Sequence, residues 1–229
     1  MGGIRFPLTI RHYADFGEFG LKGSLRQAVT WDEVRAKVPG FTSAATADEL
    51  KSEVDRRPEI VSRSAAIRSL VSDLGVQRVC SYGVGTGLLE CRLLHDLPGV
   101  ALTCTDFAGT TVDNLRVTLP GAEIVQHDLR AGPVEGFDLH LLHRVDIELS
   151  NREWRIFFSR LTEPWLFVVS EILTASSISV ELRRRLRGGT FAGWLRSEPA
   201  LRRLIPSDAV AVDVGDLRGF LRAEAMLRA

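Results

Sequence analysis

The chain has 229 residues, and its 29 Lys and Arg side chains balance 29 Asp and Glu side chains, which leaves no formal net charge. Hydrophobic residues make up 45% of the sequence and charged residues 25%, as in folded globular proteins, and this excludes wholesale disorder. A neutral chain also disfavours nucleic-acid binding, because phosphate recognition usually leaves an excess of basic side chains.

Cysteine usage and apolar runs indicate the compartment. The cysteines form no Cys-x-x-Cys pair, which argues against a disulfide framework and a thiolate zinc site; they are Cys80, Cys91 and Cys104. No apolar run reaches the roughly 18 residues of a membrane span, and the first residues lack the apolar stretch of a signal peptide. We therefore expect a cytoplasmic protein without a metal site or a membrane span.

Residues 1–75 are expected to form an N-terminal helical cap. The segment from Thr46 to Glu49 has the form of a capping box, which predicts that a helix begins there. Pro58 interrupts this helix, and apolar residues then recur at helical spacing up to Gly75, where a second helix should end. No strand is predicted before residue 77.

Short apolar runs alternate with helices in the second predicted domain, 76–229. Strands are predicted at 78–82, 100–104, 122–125, 137–142, 164–170, 209–213 and 218–222. Helices are predicted at about 86–95, 109–118, 179–187 and 198–204, and a capping box at Ser150 opens another. This alternation predicts an α/β fold with a mainly parallel sheet. The tight turn between the last two strands makes that pair antiparallel.

A glycine-rich turn, Gly83-Val-Gly85-Thr-Gly87, lies between the first of these strands and the following helix. Glycine lets the backbone turn sharply and allows close approach of a ligand, and a helix N-terminus points free N–H groups at it. The dinucleotide fingerprint G-x-G-x-x-G would need its third glycine at position 88, which is leucine. An NAD(P)-dependent oxidoreductase therefore fits less well, although it stays an alternative.

Over residues 77–225 the sequence resembles the class I S-adenosylmethionine-dependent methyltransferases. The resemblance implies a seven-stranded Rossmann-like sheet, a glycine turn under the methionine moiety, Asp106 on the ribose hydroxyls and Asp128 near the adenine. S-adenosylmethionine is the cofactor it implies. The expected cofactor-binding residues are Ser81, Tyr82, Gly83, Gly85, Gly87, Asp106, Phe107, Asp128, Leu129 and His143.

Ser81 departs from the family pattern, which has Asp or Glu two residues before the first glycine. That acid commonly helps to hold the charged amino group of the cofactor. A serine offers only a neutral hydrogen bond, which is weaker than a charge-assisted one. This departure keeps open a third interpretation, a methyltransferase-like partner protein that does not catalyse a reaction.

The segment after the fourth predicted strand carries the densest group of ionisable residues near the expected site. His143 is the candidate general base, because imidazole titrates near neutrality, and Asp146 is expected to position it or an amine. Glu148 is more typical of a loop acid before the Ser150 cap, and His140 of a core residue. The segment 143–146 does not read Asn/Asp-Pro-Pro-Tyr/Phe, which disfavours enzymes that methylate the amino groups of adenine or glutamine.

The predicted function is methylation of a small molecule at oxygen or nitrogen, with a homodimer left open. No Pro-Cys pair is present, which excludes the cysteine mechanism of cytosine C5 methylation. Trp194 and Arg196 lie where the family often builds part of its substrate wall, and His12 lies in a segment that often covers the substrate. The arginines at 183–187 are interpreted as a solvated helix face. The sequence does not identify the methyl acceptor.

Overall fold

Nine strands and eight α-helices form the computed structural model, which describes residues 4–16, 19–21, 24–38 and 41–223. The strands are β1 (Thr9–Ala14), β2 (Arg78–Tyr82), β3 (Ala101–Asp106), β4 (Glu123–Gln126), β5 (Leu139–His143), β6 (Trp165–Val168), β7 (Thr190–Arg196), β8 (Val210–Val214) and β9 (Leu217–Arg222). The helices are α1 (Ala28–Lys37), α2 (Ala47–Asp55), α3 (Pro58–Leu74), α4 (Leu88–Asp96), α5 (Gly109–Thr118), α6 (Asn151–Arg160), α7 (Ala175–Leu186) and α8 (Glu198–Arg202).

Seven of the strands form the central sheet, in the order β4-β3-β2-β5-β6-β9-β8. Strands β2 to β6 run parallel to one another, whereas β9 is antiparallel to both β6 and β8. Each predicted strand after residue 77 is present, with ends shifted by a few residues. The predicted α/β fold class, with its mainly parallel sheet and antiparallel last strand, is confirmed.

The sheet is buried on both faces, as expected when helices cover a parallel sheet. One hydrophobic cluster joins Leu141 and Leu166 of the sheet to Ile67 and Val71 of α3. The other cluster is rich in aromatic side chains; it includes Tyr82, Trp154, Phe157, Phe158, Trp165, Phe167 and Phe220. Helix α3 thus packs directly on the sheet although it precedes residue 75. The division into domains at 1–75 and 76–229 stays a prediction, and the first three and last six residues lie outside the described ranges.

A second sheet of two strands, β1 and β7, was not predicted. The expectation of no strand before residue 77 is therefore wrong, because Thr9–Ala14 pairs antiparallel with Thr190–Arg196. Strand β1 is only half-buried along its length and shows no apolar alternation, so that its sequence carries little strand signal. Strand β7 contains Gly193, which is unfavourable inside a strand.

The predicted capping box at Ser150 is confirmed, and it begins helix α6. The Glu153 N–H donates to Ser150 Oγ at 3.3 Å, and the Ser150 N–H donates to Glu153 Oε2 at 2.7 Å. We expect Ser150→Ala to lower the free energy of unfolding by about 1 kcal/mol, the usual effect of removing an N-cap side chain. Urea denaturation measures this, with Ser52→Ala on the exposed face of α2 as the control. Equal stability of the two variants would contradict a role for the cap.

Helix α7 begins earlier than predicted, at Ala175 rather than 179, because Thr174 and Ser177 form a capping box of their own. Its arginines lie mainly on exposed positions, as the interpretation of a solvated face requires. None of the helices in the described ranges is both long enough and apolar enough to cross a bilayer.

Candidate functional site

A cavity of about 490 Å³ opens at the carboxyl ends of β2, β3 and β5. This volume lies within the range of small-molecule sites, and ligands of open α/β sheets bind at this edge. Seven of the predicted site residues line it together: Gly83, Gly85, Asp106, Phe107, Asp128, Leu129 and His143. Whether these residues bind a cofactor stays a prediction.

The glycine turn has the backbone conformation that its sequence suggests. Gly83, Gly85 and Gly87 all have positive φ angles, of 60°, 64° and 76°. A Cβ at Gly87 would lie 2.8 Å from Cδ2 of Leu115 in α5. Gly87 does not line the cavity, and its role in cofactor binding stays a prediction. Its requirement for glycine comes from the left-handed backbone and the close approach of α5.

Asp106 fixes the position of the turn. Its Oδ2 accepts a hydrogen bond from the Gly85 N–H at 3.0 Å, and its Oδ1 accepts one from the Ala108 N–H at 3.0 Å. Burial raises the pKa of this carboxyl group, and the two backbone donors and Arg35 oppose that shift. A carboxylate held by backbone donors on a cavity wall retains lone pairs that can accept hydrogen bonds from ligand hydroxyls.

Asp128 lies on the same side of the cavity but is more exposed. Arg130 forms an ion pair with it at 2.6 Å. Although partial burial raises the pKa of Asp128, hydrogen bonds and charge from Arg130 bring it below its ordinary value. The carboxylate is therefore ionised at neutral pH.

Besides Gly87, three predicted site residues do not line the cavity; they are Ser81, Tyr82 and Asp146. The Tyr82 side chain is fully buried, with its hydroxyl 2.9 Å from Nδ1 of His140. His140 is itself fully buried, as its predicted core position requires. The Tyr82 hydroxyl also accepts a hydrogen bond from the Val134 N–H at 2.8 Å. These contacts give the aromatic ring a structural position behind the site.

Asp146, a predicted catalytic residue, is buried beneath the loop that follows β5. Its Oδ1 accepts a hydrogen bond from the Ser170 N–H at 2.7 Å. Its backbone carbonyl accepts hydrogen bonds from the Trp154 indole at 3.1 Å and from Arg196. The residue therefore ties together the loops after β5 and β6 and is not directed at a substrate.

His143 ends β5 on the cavity wall. Its Nε2 is buried and has no hydrogen-bond partner among the residues that the structure describes. Burial lowers its pKa to about 3, and the charges of Arg144 and Arg63 contribute to this shift. Its imidazole is therefore neutral at physiological pH and free to accept a proton, but the low pKa makes it a weak base.

Glu148 also lines the cavity, although the sequence suggested an ordinary loop acid. Burial raises its pKa to about 8, and repulsion from Asp106 and Asp146 adds to the shift. A carboxyl group with a pKa near the working pH can exchange a proton with a substrate. Of the two acids in this segment, Glu148 lines the cavity and Asp146 does not.

N-terminal residues cover the cavity, and apart from His12 they were not predicted from the sequence. Arg35 of α1 lies against the glycine turn, since a Cβ at Gly85 would be 2.9 Å from its Nη2. Its Nη1 donates a hydrogen bond to the Phe41 carbonyl at 2.9 Å. His12 of β1 lines the cavity as well, in agreement with its expected position in the covering segment.

The expected substrate wall at Trp194 and Arg196 is not formed by those two side chains. Arg196 is only 1% exposed, and its guanidinium donates to Asn151 Oδ1 at 2.7 Å and to the carbonyls of Asp146 and Leu149. Neither predicted residue lines the cavity, whereas Ala192 and Leu195 of the same strand do. The predicted region between β6 and the last two strands therefore contributes to the cavity, but through other side chains.

Comparison with solved structures finds the same fold in several methyltransferases. Human N-acetylserotonin methyltransferase, solved with SAM, matches 92% of this chain and 62% of its own, with a TM-score of 0.59 and 15% identity. PigF, solved with SAH, matches 87% of this chain and 68% of its own, with a TM-score of 0.57 and 15% identity. The mitomycin 7-O-methyltransferase MmcR matches 88% and 73%, with a TM-score of 0.53 and 16% identity.

This chain spans about half to three quarters of the length of the solved proteins it matches. No protein-family model matches the sequence, and no curated protein does. At such low identity the likeness is one of fold. The chain thus has the class I S-adenosylmethionine-dependent methyltransferase fold, as the sequence resemblance implied.

Proposed function

We propose that this chain is an S-adenosylmethionine-dependent methyltransferase that acts on a small molecule at oxygen or nitrogen. The observation that carries the proposal is the glycine turn, fixed by Asp106 through the Gly85 N–H at the floor of a 490 Å³ cavity. The solved proteins of the same fold include an N-acetylserotonin methyltransferase and a mitomycin 7-O-methyltransferase. Their names support a small-molecule acceptor for this chain.

The residues of the cavity fit the proposed cofactor. Gly83 and Gly85 carry no side chain at the cavity wall, and Asp106 offers acceptor lone pairs for the ribose hydroxyls. Asp128, ionised on the same side, would accept from the adenine amino group. When bound, S-adenosylmethionine supplies a methyl group that its sulfonium charge activates toward nucleophiles.

Two groups of this chain could take a proton from an acceptor hydroxyl or amine. His143 is neutral at physiological pH because its pKa is low, and its Nε2 has no partner in the described part of the chain. Glu148 is the second candidate, and it would accept a proton once ionised above its pKa of about 8. Much of the rate enhancement would come from holding the acceptor in line with the methyl group.

We expect Asp106→Ala to weaken binding of S-adenosylhomocysteine by about 1–3 kcal/mol, the cost of losing a charged hydrogen-bond partner. The change also removes the acceptor for the Gly85 N–H, which acts in the same direction. Isothermal titration calorimetry measures the effect. Asp113→Ala is the matched control, because Asp113 lies exposed on α5 and pairs only with Arg116.

Affinity unchanged by Asp106→Ala would remove this residue from the site. Failure of the wild-type protein to bind S-adenosylhomocysteine, with affinity for NAD(P) instead, would favour the oxidoreductase alternative. Binding of S-adenosylhomocysteine without methyl transfer to any phenol or amine in a broad panel would favour the non-catalytic partner protein.

A further inference from the structure

Ser81 and Glu90 form a buried pair beside the cavity. The Ser81 hydroxyl donates a hydrogen bond to Glu90 Oε1 at 2.7 Å. Ser81 is fully buried and Glu90 is 3% exposed, and Glu90 lines the cavity whereas Ser81 does not. Glu90 lies in the first turn of α4, directly after the glycine turn. Glu90 therefore contributes to the cavity wall, and Ser81, which lies outside the lining, holds its carboxyl group in position.

This carboxyl group has no ion-pair partner in the described ranges. Besides the hydrogen bond from the Ser81 hydroxyl, the charge of Asp106 acts on it and raises its pKa. A buried carboxylate that has hydrogen-bond donors but no ion-pair partner is costly for a protein to maintain. A carboxylate in this state at a cavity wall favours a cationic ligand.

The proposed cofactor carries such a cation on its amino-acid chain. We infer that Glu90, held by Ser81, binds the α-ammonium group of S-adenosylmethionine, and so replaces the acid that the family has at position 81. The inference rests on the proposed function. In this chain the acid lies in the first turn of α4 instead of in β2. Ser81, at the position of the family's acid, orients the Glu90 carboxyl group through its hydrogen bond.

The protonation of Glu90 agrees with this role. Burial raises its pKa to about 7, and the hydrogen bond from Ser81 opposes the shift. Docking of an ammonium group would stabilise the ionised form and lower that pKa. Proximity of the helix N-terminus acts in the same direction.

The test compares two ligands that differ in the group Glu90 would hold. S-adenosylhomocysteine carries the amino-acid chain, whereas 5′-methylthioadenosine has the same adenosine and a thioether but no ammonium group. We expect Glu90→Gln to weaken S-adenosylhomocysteine binding about 10- to 100-fold, as for a lost charged hydrogen bond, and to change 5′-methylthioadenosine binding less than threefold. The amide keeps the size of the side chain and can still pair with Ser81.

Glu123→Gln is the matched control. Its carboxylate also accepts a hydrogen bond from a hydroxyl, that of Thr103 at 2.9 Å, but it lies on β4 away from the cavity. We expect this variant to bind both ligands as the wild type does. Equal weakening of both ligands in Glu90→Gln would assign Glu90 a structural role and overturn the inference, as would unchanged binding of S-adenosylhomocysteine.

A second pair of variants covers the case in which Glu90→Gln does not fold. Glu90→Asp keeps the charge but shortens its reach, and Ser81→Ala keeps the carboxylate but frees it from its anchor. Each should lower the preference for S-adenosylhomocysteine over 5′-methylthioadenosine, and an unchanged preference in both would reject the inference. Failure of the wild type to bind either ligand would instead reject the proposed function, so that the two failures are distinguishable.

Discussion

His143→Ala is expected to lower the turnover number about 10²- to 10⁴-fold, the usual contribution of a general base. The same change should lower turnover far more than S-adenosylhomocysteine affinity, since the main role assigned to the imidazole is toward the acceptor. Turnover is measured as S-adenosylhomocysteine released in the presence of phenolic and amine acceptors. His95→Ala, on the exposed end of α4, is the control.

The pH dependence of kcat/KM distinguishes His143 from Glu148. The pKa of His143 is about 3, so that a reaction using this base keeps a constant rate from pH 5 to pH 9. The pKa of Glu148 is about 8, so that a reaction using this acid as base gains rate as the pH rises toward 8. Normal turnover of His143→Ala, together with a rise that Glu148→Gln abolishes, would transfer the role to Glu148.

Gly193→Ala is the second change with a large expected effect. Gly193 has a φ of 142°, which residues with a side chain rarely adopt. A Cβ at this position would lie 2.1 Å from the carbonyl oxygen of Ile147. The obstacle is backbone, which also accepts a hydrogen bond from the Trp194 N–H at 3.0 Å, and it cannot rotate away. We expect the free energy of unfolding to fall by about 3 kcal/mol.

Urea denaturation followed by tryptophan fluorescence measures this loss. Gly99→Ala is the control, because a Cβ at Gly99 meets no atom within 4 Å. The clash also displaces the loop that carries Glu148, the neighbour of Ile147, so that acceptor methylation should decline even in the folded fraction. Stability equal to that of the Gly99 variant would show that β7 and the loop at Ile147 can accommodate a side chain at position 193.

The central sheet was predictable because its signals are local. An uninterrupted apolar run such as 164–170 indicates a strand buried on both faces, and a cap such as Ser150 marks where a helix begins. Strands β1 and β7 gave no comparable signal. Each of these two strands forms only by pairing with the other. Thr9 pairs with Arg196, for example, and residues so far apart in the sequence leave no local pattern.

The candidate site likewise contains some residues that local sequence signals predict and others that they do not. The glycine turn follows β2, and Asp106 ends β3, the next strand along the chain. The structure joins them through the hydrogen bond between the Gly85 N–H and Asp106. The contact between Ser81 and Glu90 was not predicted, because Glu90 is typical of an ordinary helix residue in the sequence. Sequence proximity of Asp146 to His143 likewise does not reveal that the Asp146 carboxylate accepts a hydrogen bond from the Ser170 N–H.

The pairing of β1 with β7 has a consequence for the order of folding. It joins two segments from opposite ends of the chain, and closing so long a loop costs entropy before any hydrogen bond forms. We expect the parallel strands β2 to β6 of the central sheet to pair first and the two-stranded sheet to form afterwards. During synthesis on the ribosome these five strands emerge before β7, so that the cavity at their carboxyl ends forms before β1 and β7 cover it, and a ligand present at that stage can enter an open site.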